Sequence, residues 1–247
     1  MIAGPTPSPA YYHPIEFRVG RVMSRAFEVL FGNFIIFIAI SAIAAAPLFL
    51  FALATPGGGG RSWAAVAGLL LHFVLSALCQ AMIVYATFQA LRGRGVRPGE
   101  SIARGLQRLG PILLTSILVG VIVALGTVLL VIPGIIASVI LCVAIPACVV
   151  ERLGPIESVE RSSYLSRGYR WPIFGAFLAI GIVSIVADAL ITGLTKDAGS
   201  VWLSPAISLV WNTLVTAYQT VLVAIMYHDL RVVKDGIDLE HIASVFD

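Results

Sequence analysis

Residues 110–150 read GPILLTSILVGVIVALGTVLLVIPGIIASVILCVAIPACVV, a stretch without one charged side chain. The hydrocarbon core of a bilayer is about 30 Å thick and a helix rises about 1.5 Å per residue, so about 20 apolar residues make one crossing. The stretch is long enough for two. Pro133-Gly134 stands near its middle, where proline removes a helical hydrogen bond and glycine lets the backbone reverse. The residues therefore predict a tight hairpin with arms at about 110–132 and 134–150, both outer ends emerging on the same side. The second arm is short and carries Pro146, which predicts a kinked or only partly spanning helix.

Working outward, four more apolar segments stand at about 33–54, 63–91, 172–194 and 204–227. A backbone in hydrocarbon must satisfy its polar groups internally, so each segment is expected to be a helix. The predicted fold is all-α: a polytopic transmembrane helical bundle of six spans over residues 15–230. A soluble globule is excluded by composition. The chain is 59% hydrophobic and 12% charged, against about 25% charged in an ordinary soluble domain. Residues 1–14 are Pro-rich, with no basic region leading into an apolar run, so a disordered tail and no cleavable signal peptide are expected. Residues 231–247 are expected to be a cytoplasmic tail. Cys79, Cys142 and Cys148 all lie in apolar stretches and read as small buried hydrophobes.

Charge placement sets the expected topology. With the N-terminus inside, 14 of the 16 Lys and Arg residues fall on the inner side, and Arg61 and Lys196 fall outside. Cytoplasmic loops carry the Lys/Arg surplus in such proteins, so both termini are expected in the cytoplasm of a bacterial cell with the chain in its inner membrane. The same count supports the hairpin, because a single span over 110–150 would move Arg152–Arg170 outside.

Three basic amphipathic segments precede hairpins on that inner side. In Ile15–Phe31, Ile15, Val19, Val22, Ala26 and Val29 share one stripe, and Arg18, Arg21 and Arg25 lie off it. In Pro98–Leu109, Ile102, Leu106 and Leu109 line one side, opposite Arg104 and Arg108. Pro155–Gly168 has a weaker stripe and a Glu157–Arg161 pair in the favourable order. SRAFEVL, ARGLQRL and ERSSYLS align on Arg25, Arg104 and Arg161, as either an internal repeat or a shared physical demand. Such helices are expected to lie in the headgroup plane as a basic collar, each Arg contributing about 1 kcal/mol against anionic lipid. A pure topology anchor is the plainer alternative.

Leu130-Val-Ile-Pro-Gly-Ile-Ile136 is followed by Ala144-Ile-Pro-Ala-Cys-Val-Val-Glu151, and then by Gly154, Ser158, Arg161-Ser162, Leu165, Gly168 and Trp171. This pattern resembles the bacterial membrane-domain family named after glycerophosphoryl diester phosphodiesterases, with related uncharacterised polytopic inner-membrane proteins. The resemblance covers mainly 98–180 and implies a polytopic helical membrane protein. Its phosphodiesterase barrel has no counterpart here, so no activity and no catalytic residue carry over.

Two titratable side chains fall within spans: His72 and Asp188. An acid in hydrocarbon costs about 2.5–3.5 kcal/mol on insertion scales and reads as a functional candidate. Both lie in outer halves, where they could meet in a proton-coupled path, or each could simply be packed or hydrogen-bonded. Gln80, Asn212 and Gln219 fit ordinary interhelical hydrogen bonding. His228, Asp229, Asp235, Asp238 and Glu240 match no zinc or calcium spacing. No catalytic motif appears, so no enzyme, metal or cofactor is expected, and nucleic acid is not an expected partner.

The leading expectation is a membrane protein that binds or organises anionic lipid, or a membrane partner or second copy, through Arg18, Arg21, Arg25, Arg104, Arg108 and Arg161. The alternative is a small permease-like carrier for a lipid or amphiphile, working through broken helices at Pro133-Gly134 and Pro146 with His72 and Asp188 as coupling groups.

Overall fold

The structure is a computed structural model that describes residues 17–42, 62–93, 98–195 and 203–235. All regular structure among the described residues is helical. In chain order the helices are α1 (Val19–Gly32), α2 (Phe34–Ala42), α3 (Ser62–Leu91), α4 (Pro98–Gln107), α5 (Leu109–Leu129), α6 (Val131–Leu141), α7 (Ala144–Val150), α8 (Pro155–Ser166), α9 (Arg170–Thr195) and α10 (Leu203–Asp235). Five candidate spans result, with α6 and α7 together forming one, and six if α1 and α2 count as one bent crossing. The expected polytopic helical bundle is the fold. Residues 43–54 of the expected first span, and the expected tails at 1–14 and beyond Asp235, lie outside the described residues.

The hairpin forms, but its turn sits earlier than Pro133-Gly134. The chain reverses at Leu130, the one extended residue between α5 and α6 (φ −162°, ψ 139°). Pro133 falls in the first turn of α6, where its missing N–H has no helical partner to lose. Gly134 has a different task. A Cβ there would lie 2.8 Å from the Thr127 Cα and closer still to the Thr127 hydroxyl, and a Cβ on Gly126 would lie 3.1 Å from the Gly134 Cα. The two glycines let the backbones of α5 and α6 touch. Small residues serve this purpose inside membranes, where packing rather than water drives association.

The returning arm is interrupted four residues upstream of Pro146. Without an N–H, Pro146 cannot bond the Cys142 carbonyl, and the helix interrupts at Cys142–Val143, between α6 and α7. The Ile140 carbonyl in the last turn of α6 accepts from the Ser162 hydroxyl at 2.8 Å and the Ser166 hydroxyl at 3.2 Å. Thus α8 is bound to the break, and its buried face is Ser158, Ser162, Leu165 and Ser166 rather than an apolar stripe.

The core lies between α3, α10, α1 and α7, around Ile83, Leu222, Ile225 and Met226. Outward faces are apolar as well: Val128 is 85% exposed and Ile185 is 71% exposed. In water this would be a severe liability, and in lipid it is the required surface.

Gly134→Ala is expected to force α5 and α6 apart, costing about 1–3 kcal/mol as overpacked cores do. Thermal unfolding in detergent would read this as a lowered midpoint, whereas Gly120→Ala, with nothing within 4 Å, should leave it unchanged.

Candidate functional site

The charged side chains gather at one end of the bundle, and the helices explain why. α3 ends there, with Phe88 against Tyr227 (ring centroids 5.9 Å) and His228 (6.2 Å). α10 ends there too, and it runs to Asp235 rather than stopping at 227. The expected tail from residue 231 is therefore helical through Asp235. α1 packs along α10, with the Tyr218 hydroxyl donating to the Met23 carbonyl at 3.3 Å. The connection from α7 to α8 completes this end.

Glu151, the C-cap of α7, is its hub. Its carboxylate accepts the Arg161 Nε–H at 3.0 Å to each oxygen and the Tyr227 hydroxyl at 2.6 Å. The other side of the Arg161 fork donates to both Asp235 oxygens, at 3.3 Å from Nη1 and in a closer contact from Nη2. Arg231 Nε stands 3.7 Å from Glu151 and 3.9 Å from Asp235, in ion-pair range but beyond hydrogen-bond distance. Burial works against the charge of Arg161, and the hydrogen bonds from Asp235 and Glu151 outweigh it, so its guanidinium is held above its ordinary range. Glu151 and Asp235 are each 16% exposed and Arg161 is 21% exposed, so these three groups are screened from bulk water and paired with one another. Buried charges persist only in that form.

A smaller pair repeats the device. Arg25 Nη1 lies 3.6 Å from Asp229, which also meets His228 Nδ1 at 3.2 Å. Arg25 and Arg161 both reach acids on α10.

The expected lipid-facing arginines thus divide. Arg161 is turned inward, and Arg25 is half-engaged by Asp229. Glu157 does not pair with Arg161; its carboxylate accepts the Gly154 N–H at 3.0 Å and caps the start of α8. Arg108 is half-buried and donates from Nη1 to the Arg152 carbonyl at 3.3 Å. Arg18, at the N-cap of α1, and Arg21, on the face of α1 away from buried Val22, Ala26 and Leu30, are exposed. The Arg104 side chain lies outside the described residues. In α4 the face against α3 is made by Gly105, 3.1 Å from Met82 as a virtual Cβ, while Leu106 is 52% exposed instead of lining the inner stripe.

Asp188 is half-buried on α9. The His72 side chain lies outside the described residues, and α3 and α9 are not extensively packed on each other. An apolar groove of about 520 Å³ runs between α1, α9 and α10, lined by Phe27, Ile180, Ser184 and Trp211 among others; Asp188 is not part of it. No group of three metal-binding side chains occurs among the described residues. Sequence reading missed the hub entirely. Its one visible signal was an acid, Glu151, directly after an uncharged span.

Residues 63–230 match the family described as a domain of unknown function, DUF7847, and the chain belongs to it. No curated protein and no solved structure matches the chain.

Glu151→Gln is expected to lower the unfolding midpoint in detergent, by the equivalent of about 1–3 kcal/mol, because Arg161 and Arg231 lose their shared anion. Glu151→Gln combined with Arg161→Gln should cost less than the two single changes added together. Additive losses would show that the pair is not energetically coupled.

Proposed function

We propose that this member of the DUF7847 family is a non-enzymatic protein of the bacterial inner membrane, with both termini cytoplasmic, which binds anionic lipid through arginines on its cytoplasmic face. The observation that carries the reading is α1. Its inner face is buried on the bundle, and α2 leaves it at an angle of 84°. Its outer face exposes Phe27 and Phe31, each more than half accessible, beside exposed Arg18 and Arg21. An exposed aromatic–arginine face on a helix turned sharply from the next is suited to the interface between headgroups and acyl chains.

The charge lattice supports this by elimination. Arg161 and Arg231 are neutralised by Glu151 and Asp235, so attraction for anions falls to arginines outside the lattice. The resemblance of residues 98–180 to the glycerophosphoryl diester phosphodiesterase membrane domain adds membrane residence and no activity. One observation favours a carrier, the interruption at Cys142–Val143. Ser162 and Ser166 bind that interruption to α8, so carriage would require those hydrogen bonds to open.

Replacing Arg21 by Gln is expected to lower the ratio of co-purified anionic to zwitterionic lipid several-fold in native mass spectra, at about 1 kcal/mol for the cation. An unchanged ratio would remove α1 from lipid recognition. A periplasm-active reporter fused after Asp247 should stay silent and a cytoplasm-active one should be on; the reverse pattern would invert the topology.

A further inference from the structure

A second cavity, of about 510 Å³, opens at the charged end of the bundle, beside the Glu151 lattice and apart from α1. Its polar lining is Arg92 at the end of α3, Arg108 at the joint of α4 and α5, Arg152 after α7, and Tyr85, Gln89 and Gln107. Its floor is apolar, made by Ala81, Ile112 and Val149. No carboxylate is among the described residues that line it.

The chain builds this arrangement at a cost. Arg152 is the one non-glycine with positive φ (59°) among the described residues, a backbone state worth about 1–3 kcal/mol of strain where it is enforced. Two neighbours enforce it. Glu151, directly before it, is locked into the lattice with Arg161 and Tyr227, and Arg108 grips the Arg152 carbonyl. The same acid that neutralises Arg161 and Arg231 is therefore turned away from the cavity, leaving three guanidinium side chains around one space. Like charges so placed repel unless an anion lies between them, and the guanidinium fork matches phosphate oxygens. The apolar floor, formed by three membrane-spanning stretches, makes the cavity a place where a charged group and a hydrocarbon chain can sit end to end. Basic pockets between spans on the cytoplasmic side bind phosphorylated headgroups in this way.

We infer that the cavity lined by Arg92, Arg108 and Arg152 binds the phosphate of an anionic phospholipid. The inference rests on the reading of the chain as an anionic-lipid binder and gives that reading a defined site, distinct from the surface of α1.

The test uses the full chain in detergent, titrated with phosphatidylglycerol or phosphatidylcholine and followed by native mass spectrometry. The wild type should hold a phosphatidylglycerol adduct that phosphatidylcholine does not reproduce. Arg92→Gln should weaken it about tenfold or more, the loss expected when a charged hydrogen bond is removed. Arg92 is exposed at a helix end, so this variant should keep the wild-type unfolding midpoint. Arg152→Gly removes a second guanidinium while relieving the positive φ, and it should weaken the adduct without destabilising the fold. If both variants keep the adduct, the cavity is not the site. If they keep it while the Arg21→Gln variant loses it, lipid binding stands and only this assignment falls. If no variant and no wild type distinguishes the two lipids, the underlying reading falls as well. An arm with inorganic phosphate separates the sources: Arg92-dependent phosphate binding without a phosphatidylglycerol adduct would make the ligand a soluble phosphate and overturn the lipid assignment.

Discussion

The charged end of this bundle depends on the carboxylate of Glu151. In a chain with so few charges, placed at the edge of a low-dielectric slab, an unpaired ion is costly and a paired one fixes geometry. Glu151 accepts from Tyr227 on α10 and from Arg161 on α8, and Arg161 spans onward to Asp235 on α10. One acid thereby ties the end of the broken span to the helix after it and to the last span. Lys234 stands over the rings of Tyr164 and Tyr169 at 5.7 and 6.0 Å, extending the same junction to the start of α9.

The other constraint is the backbone. Two prolines could have left carbonyls without partners inside hydrocarbon, and each falls in the first turn of its helix. Pro133 follows the reversal at Leu130, and Pro146 follows the interruption at Cys142–Val143, beside which α8 supplies two serine hydroxyls to the Ile140 carbonyl. This explains why α8 carries serine where an interfacial helix would carry leucine. It is a piece of the bundle that completes a broken span, and its weak apolar stripe is the trace of that duty.

The spans were legible because hydrophobic length is a one-dimensional property. Segments expected at 63–91 and 172–194 appear as Ser62–Leu91 and Arg170–Thr195. Features that depend on which side chains meet across the fold were not legible. The reversal lies at Leu130 because the approach of Gly126 to Gly134 sets the register of the hairpin, and neither glycine announces that in a chain with 23 of them. The Glu157–Arg161 spacing suggested a local pair, but Arg161 takes partners 10 and 74 residues away in sequence. Local periodicity cannot weigh a nearby exposed acid against two distant, half-buried ones, although the buried pairs are the stronger. α10 continues beyond the expected span at 204–227, and its end carries Arg231 and Asp235 into the lattice.

The arginines at the charged end consequently differ in ways that composition cannot separate. Those matched by acids on α10 or after α7 hold helices together, and adding them to a surface potential overstates it. Those outside the lattice include Arg21 on α1, the set around the Arg92–Arg108–Arg152 cavity, and Arg167 and Arg170 at the joint of α8 and α9. α1 is held by contacts along α10 that include the Arg25–Asp229 pair, and Arg152 is held by the residue before it. Internal pairing and outward charge are therefore coupled: the lattice consumes acids that would otherwise cancel the field facing the membrane, and it fixes the backbone from which the remaining cations project. A basic face built this way owes its surplus of positive charge to where the acids have been withdrawn as much as to where arginines have been placed.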